Sequence, residues 1–185
     1  MSALERFSWM HSKVERFPGA TALPRRFGTS YVIPHENGMP KIDAFAHPLA
    51  LYADKLAQGE LPCWRDFSFQ ELRGWHSRFS LVEMASDMSD GTCRILGDHF
   101  SAFFAGVLAQ GKALSHSESI LIPDLLRYIR QLIEGPAIGY FDGRLGYAGR
   151  EHVRLEVLDL PAADKNGEPR YIMSFAKEKE SLDRP

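Results

Sequence analysis

The sequence predicts an α+β fold: a five-stranded antiparallel sheet with helices packed on one face, preceded by an N-terminal helical extension. Three observations carry this expectation. Two strand-like runs precede a helical stretch and three follow it, an order that suits an antiparallel sheet covered by its helices. Residues 124–134 place Leu125, Tyr128, Ile129, Leu132 and Ile133 on the stripe of a helix with one buried face. Residues 152–160 alternate, with Val153, Leu155 and Val157 pointing one way and Arg154 and Glu156 the other.

The 185 residues suit one domain with extensions, and 44% apolar against 25% charged is the balance of an ordinary globular chain. At this length folding removes roughly 70% of the unfolded chain's surface from water. A formal net charge of −2 supplies no global attraction to nucleic acid or to an acidic membrane, so neither is expected as a partner. Two cysteines, Cys63 and Cys93, make no disulfide framework and have no zinc-site spacing; they suit a reducing cytoplasm. Charges run through the first 17 residues, unlike a signal peptide, and no run of about 18 apolar residues offers a membrane span.

Residues 1–43 read as an arm, punctuated by Pro18, Gly19, Pro24, Gly28, Pro34, Gly38 and Pro40 and charged at Arg25-Arg26. The arm is expected to be irregular apart from a short helix over 4–17 with Leu4, Phe7, Met10 and Val14 on one stripe. Residues 44–77 hold a leading helix and a linker. The helix is expected over 48–58, with Pro48 first, Leu49, Tyr52, Ala53 and Leu56 as its stripe and Gly59 ending it. In the linker Pro62 stops regular structure, and Ser68 with Glu71 forms a capping box for a short helix over 69–73.

Residues 78–178 form the main domain. Strand 79–86 carries apolar side chains on both parities, so both of its faces are expected to be covered. Asp90-Gly91 signals a tight turn into strand 92–96. Asp98 caps a helix with Phe100, Phe103, Phe104, Val107 and Leu108 on one face. Residues 110–119 are polar and irregular, anchored by Leu114, and Gly135-Pro136 ends the helix at 124–134. Strands follow over 137–148, 152–160 and 170–176, the last two joined by a turn at Lys165-Asn166-Gly167. The tail, 179–185, is solvated.

The segments HPLALYADKLAQGELP, the DF and EL of RDFSFQEL, CRILG, and VRLEVLDLPAADKNGEPRYI stand in a characteristic order. Over roughly 47–175 the chain resembles PAS domains, and more narrowly the small stand-alone PAS proteins common in alphaproteobacteria, whose PAS core is preceded by a helix. It departs from that pattern where an Arg would stand near Trp64, a Pro near Phe69, a Thr at Asp98 and a Trp near Ala53. The resemblance implies a sensory or signalling module acting through small-ligand binding or protein–protein contacts. With no kinase, cyclase or DNA-binding part in the sequence, its output would be contact with a protein partner. Homodimerisation through the arm or an exposed sheet face is the expected means.

No catalytic constellation stands out, and the chain is not expected to be an enzyme. GTCRIL (91–96) superficially resembles the Cys-Arg-Phe-Leu of flavin-binding photosensors, but Cys93 reads as strand and the neighbouring Asn and Gln are missing. Haem would need an axial histidine such as His99 or His116, with nothing in the sequence to support it. The sequence names no cofactor, and neither flavin nor haem is expected. Asp87, Asp90, Asp98 and Glu83 read as turn and cap residues rather than a cation site. His152, Arg154 and Glu156 share a strand face that reads as solvent surface.

An apolar cavity is the remaining candidate. Phe103, Phe104 and Val107 on one helix would face Tyr128, Ile129 and Leu132 on the next, above a strand holding Ile138 and Tyr140. Tyr128 and Tyr140 would be its polar anchors. The same residues also suit a filled core, which would make the chain a pure interaction module, and both readings stay open. A third reading is a small-molecule-binding enzyme or carrier of the cone-shaped α+β type. It would require an Asp–His pair or similar acid/base group inside the cavity.

Overall fold

The fold is α+β, built on one antiparallel sheet. The structure is a computed structural model, and it describes residues 17–56, 60–104, 106–145 and 152–179. The expected helix over 4–17 and the Gly59 stop lie outside these. In chain order the elements are β1 (Thr21–Arg25), β2 (Gly28–Pro34), α1 (Ala46–Lys55), β3 (Phe79–Met84), β4 (Gly91–Leu96), α2 (Asp98–Phe103), α3 (Ile122–Glu134), β5 (Ala137–Arg144), β6 (Arg154–Ala163) and β7 (Pro169–Lys179). The sheet order is β1-β2-β5-β6-β7-β3-β4, with every neighbouring pair antiparallel.

The sheet has seven strands rather than five, because the arm contributes a hairpin. Its Pro24 and Gly28 look like breakers in sequence, yet each has a place. Pro24 lies on the outermost strand, where one side of the backbone has no ladder to serve. Gly28 pairs with Gly143 at a backbone approach so close that a Cβ would strike Asp142 O and Gly143 Cα.

Both faces of the sheet are covered, as the apolar residues on both parities of strand 79–86 imply, although helices were expected on one face only. One face packs against α3 through Val32, Val82, Met84, Ala137 and Ile172, and against α2 through Leu155, Val157 and Ala176. On the other, Tyr31, Ile138, Tyr140, Leu158, Met173 and Phe175 pack against Ile42, Phe45, α1 residues Leu49 and Tyr52, and linker residues Phe67 and Leu72. Tyr52, fully buried, ties α1 to the sheet by donating its hydroxyl to Pro161 O at 2.7 Å. The leading helix and linker therefore lie over the sheet face that was expected to be open for dimerisation, since their apolar stripes have nowhere else to be buried.

Local signals fare unevenly. The capping box forms, with Ser68 N donating to Glu71 Oε2 (2.7 Å) and Glu71 N to Ser68 Oγ (3.2 Å), but it closes turns rather than a helix. Asp90-Gly91 does not make a two-residue turn. The loop spans 85–90, closed by Ala85 N to Asp90 O at 2.9 Å, because the Asp90 carboxylate is used elsewhere: it accepts from Gly91 N and from Ser115 N and Oγ. That link, with Leu114 buried beneath it, anchors the irregular 110–119 segment on the β3–β4 hairpin.

Candidate functional site

Between α2, α3 and the sheet lies a cavity of about 220 Å³. Its walls are Phe100 and Phe104 from the α2 region, Val107, Leu121 and Leu125, and Phe141, Leu145, Leu155 and Val157 from the strands below. The polar groups are few: Asp159, Ser174, Tyr128 and Ser30 within, and Arg25, Arg26, Arg144 and Asp124 around it. Apolar walls with a few convergent polar groups are the usual make-up of a small-molecule site.

The polar centre is built by register. Gly139, Asp159 and Ser174 lie side by side on β5, β6 and β7, all toward the helices. Ser174 Oγ donates to Asp159 Oδ1 at 2.6 Å, and the Tyr128 hydroxyl, reaching across from α3, donates to Asp159 Oδ2 at 2.9 Å. Tyr128 can reach only because residue 139 is glycine, since a Cβ there would collide with the Tyr128 hydroxyl. Burial pushes the Asp159 carboxyl up to about 6, against the opposing pull of its two hydroxyl donors. Tyr128, buried and beside that carboxylate, is held well above the usual phenol range. The Arg25 guanidinium lies 5.3 Å from the Tyr128 ring centre, and its Nε donates to Ser30 Oγ at 3.3 Å.

Of the residues singled out in sequence, Phe104, Val107 and Tyr128 line this cavity. Phe103 packs with Phe100 and Leu155 but opens onto a separate surface groove beside Arg78 and His99. Ile129 and Leu132 are buried in the helix–sheet core and do not line the cavity. Tyr140 is on the opposite face of the sheet, packed against Phe17, Tyr31 and Phe45 and donating its hydroxyl to Glu156. Strand parity explains the split: Gly139 and Phe141 point to the helices, so Ile138 and Tyr140 point away.

Glu156 is buried rather than solvent-facing, and it belongs to a polar cluster on that second face. Lys179 Nζ lies 3.5 Å from Glu156 and 3.3 Å from Asp142. Cys93 is on strand β4 and buried, its thiol pushed up to about 11 by burial. His99 and His116 are exposed and off the cavity. Asp87 accepts from Ser89 N and Oγ in its loop, and Glu83 pairs with Arg94 and Arg170. Among the described residues no helix is long and apolar enough to cross a membrane.

Sequence reading missed Asp159, Ser174, Arg25 and Ser30. Asp159 had a visible signal: the parity of Leu155 and Val157 continues to residue 159, so a carboxylate stands at an inward position. Arg25 had none, because its strand was not anticipated.

No protein-family model matches the chain, and no curated protein does. Among solved structures, the chain is similar to a sensory box sensor histidine kinase from Vibrio cholerae, with 13% identity and a TM-score of 0.39, over 55% of this chain and 79% of that one. It is also similar to an RNA-binding light-oxygen-voltage receptor, with 12% identity and a TM-score of 0.39, over 84% of this chain. It spans 40% of that receptor's length.

Proposed function

We propose that the chain is a sensory module of the PAS type that holds a small molecule between α2, α3 and the sheet and passes its state to a protein partner. The observation that carries this reading is the 220 Å³ cavity with apolar walls and a single buried carboxylate near its polar centre. The carboxylate's two oxygens are already engaged by Tyr128 and Ser174, which suits a fixed anchor better than a free general base. The module is accordingly a binder and not a catalyst, and the cone-shaped enzyme reading gains nothing from His99 or His152, both exposed. It works in the cytoplasm, a compartment that suits its two free thiols. Its self-association, as a homodimer, uses surfaces other than the covered sheet face.

The test is native mass spectrometry and an absorbance spectrum of the purified full chain, followed by thermal unfolding against a small-molecule library. A ligand at a hundredfold excess over its Kd stabilises by about 2.7 kcal/mol, roughly 5–10 °C in Tm for a chain of this size. A protein that retains no extra mass and shows no shift with any compound is not a ligand-binding sensor. Light scattering across concentrations tests the dimer, and a monomer throughout removes it.

A further inference from the structure

We propose that the cavity takes a small organic anion, an apolar body of ring or short branched-chain size carrying a carboxylate that the Arg25 end of the cavity receives. This deepens the reading of the cavity as a ligand site and rests on it.

The size follows from the volume. At about 220 Å³ the space falls below the roughly 300–1,000 Å³ of drug-sized ligand sites and above the ~150 Å³ cavity that holds a benzene. A benzene ring or a branched five- or six-carbon body suits such a space. The walls, led by Phe100, Phe104, Leu125 and Val157, suit that body.

The charge follows from the distribution of arginines. The β1–β2 turn and the end of β5 meet at one end of the cavity, joined by Arg144 N to Phe27 O at 2.8 Å. Arg25, Arg26 and Arg144 all border the cavity there. Among the described residues none of the three is ion-paired: Arg25 bonds only to Ser30, and Arg26 only stacks on Phe27. Arg25 stands opposite Gly28, two residues from Ser30 along β2, on the helix side, so its guanidinium is the one committed to this face. Among the described residues, neither acid bordering the cavity is ion-paired with them. Asp124 pairs with Arg127 at 3.1 Å on the exposed side of α3, and Asp159 has given its oxygens to Tyr128 and Ser174. A guanidinium without an anionic partner beside an apolar space is matched by a carboxylate, which it can grip through two parallel N–H donors. An ammonium would be repelled at that end, and a neutral amide would gain only ordinary hydrogen bonds.

The test uses the full chain and calorimetric titration with benzoate, phenylacetate and 4-methylpentanoate, each beside its primary amide, and with phenethylamine. At least one acid is expected to bind about tenfold or more tighter than its amide, the usual difference between a charge-assisted and a neutral hydrogen bond. Raising the salt concentration should weaken the acid and leave the amide unchanged. Arg25→Gln should abolish the acid's advantage. Because Arg25 also holds Ser30, the double variant Arg26→Gln/Arg144→Gln provides a second test on exposed residues, with several-fold weaker acid binding expected and no change for the amide. If acid and amide bind alike, or the amine binds tightest, the anion proposal is overturned and the cavity remains a ligand site. If none of the probes binds and the purified protein carries no small molecule, both readings are overturned.

Discussion

Replacing Asp159 by Asn should remove most of one steep component of the protein's pH dependence. Asp159 is buried among Tyr128 from α3, Ser174 from β7 and Gly139 from β5, with Arg25 of β1 nearby against the Tyr128 ring. Its carboxyl is pushed from 3.8 up to about 6, so the fold favours the protonated form. Above about pH 6 the carboxylate is charged in both folded and unfolded chains, and the fold bears the full cost of burying it. As pH falls through 6 the folded chain takes up a proton that the unfolded chain does not take until about 3.8, so stability rises on acidification. The gap, at ~1.4 kcal/mol per pH unit, is worth about 3 kcal/mol. Asn keeps the shape and carries no titration; its Oδ1 accepts from one hydroxyl, and its Nδ2 donates to the oxygen of the other. Urea unfolding of the two proteins between about pH 4 and pH 7.5 should show the wild type losing about 3 kcal/mol relative to Asp159→Asn as pH rises. Curves that run parallel, within about 0.5 kcal/mol, would refute the placement of this carboxylate in a dry site.

Gly139→Ala should displace the Tyr128 hydroxyl and cost about 1–3 kcal/mol by overpacking; combining it with Tyr128→Phe should recover part of the loss, measured as non-additivity in thermal unfolding. Phe45→Ala, at a fully buried position on the face covered by α1, should cost about 3–5 kcal/mol, and a loss under about 1 kcal/mol would mean that the covering is loose. In the native protein at neutral pH iodoacetamide should label the half-exposed Cys63 and spare Cys93, whose thiol is pushed up to about 11; mass spectrometry should find both labelled only after unfolding.

The elements whose order and periodicity repeat over many residues were legible in the sequence. The stripe of α3, the alternation of β6 and the strand-strand-helix-strand-strand-strand order all stand in the structure near where the residues put them. The β1–β2 hairpin was not legible, because Pro24 and Gly28 signal breaks and only an edge position and a close backbone pairing, both tertiary facts, make them acceptable. The covering of the second sheet face was hidden for the same reason: α1 has a readable stripe, but nothing in its own residues says what the stripe packs against. Of the cavity, the helix side was partly legible through Phe104, Val107 and Tyr128. The strand side turned on parity, which placed Tyr140 on the far face and Asp159 beneath Tyr128.

Beneath the helices the sheet mixes short side chains with long ones, while the other face is mostly long. Toward α2 and α3, strands β2, β5 and β7 offer Ser30, Gly139, Gly143, Ser174 and Ala176, interspersed with Val32, Phe141 and Ile172. One residue away in each strand, on the opposite face, stand Tyr31, Ile138, Tyr140 and Phe175, which close against Phe45 and the α1 stripe. At Gly139 the sheet lies close enough to α3 that Tyr128 and Leu132 pack directly over its backbone. Of these α3 residues Tyr128 also reaches a titratable group, donating its hydroxyl to Asp159 Oδ2 at 2.9 Å. The helix, the carboxylate and the Arg25 turn therefore all border the same cavity.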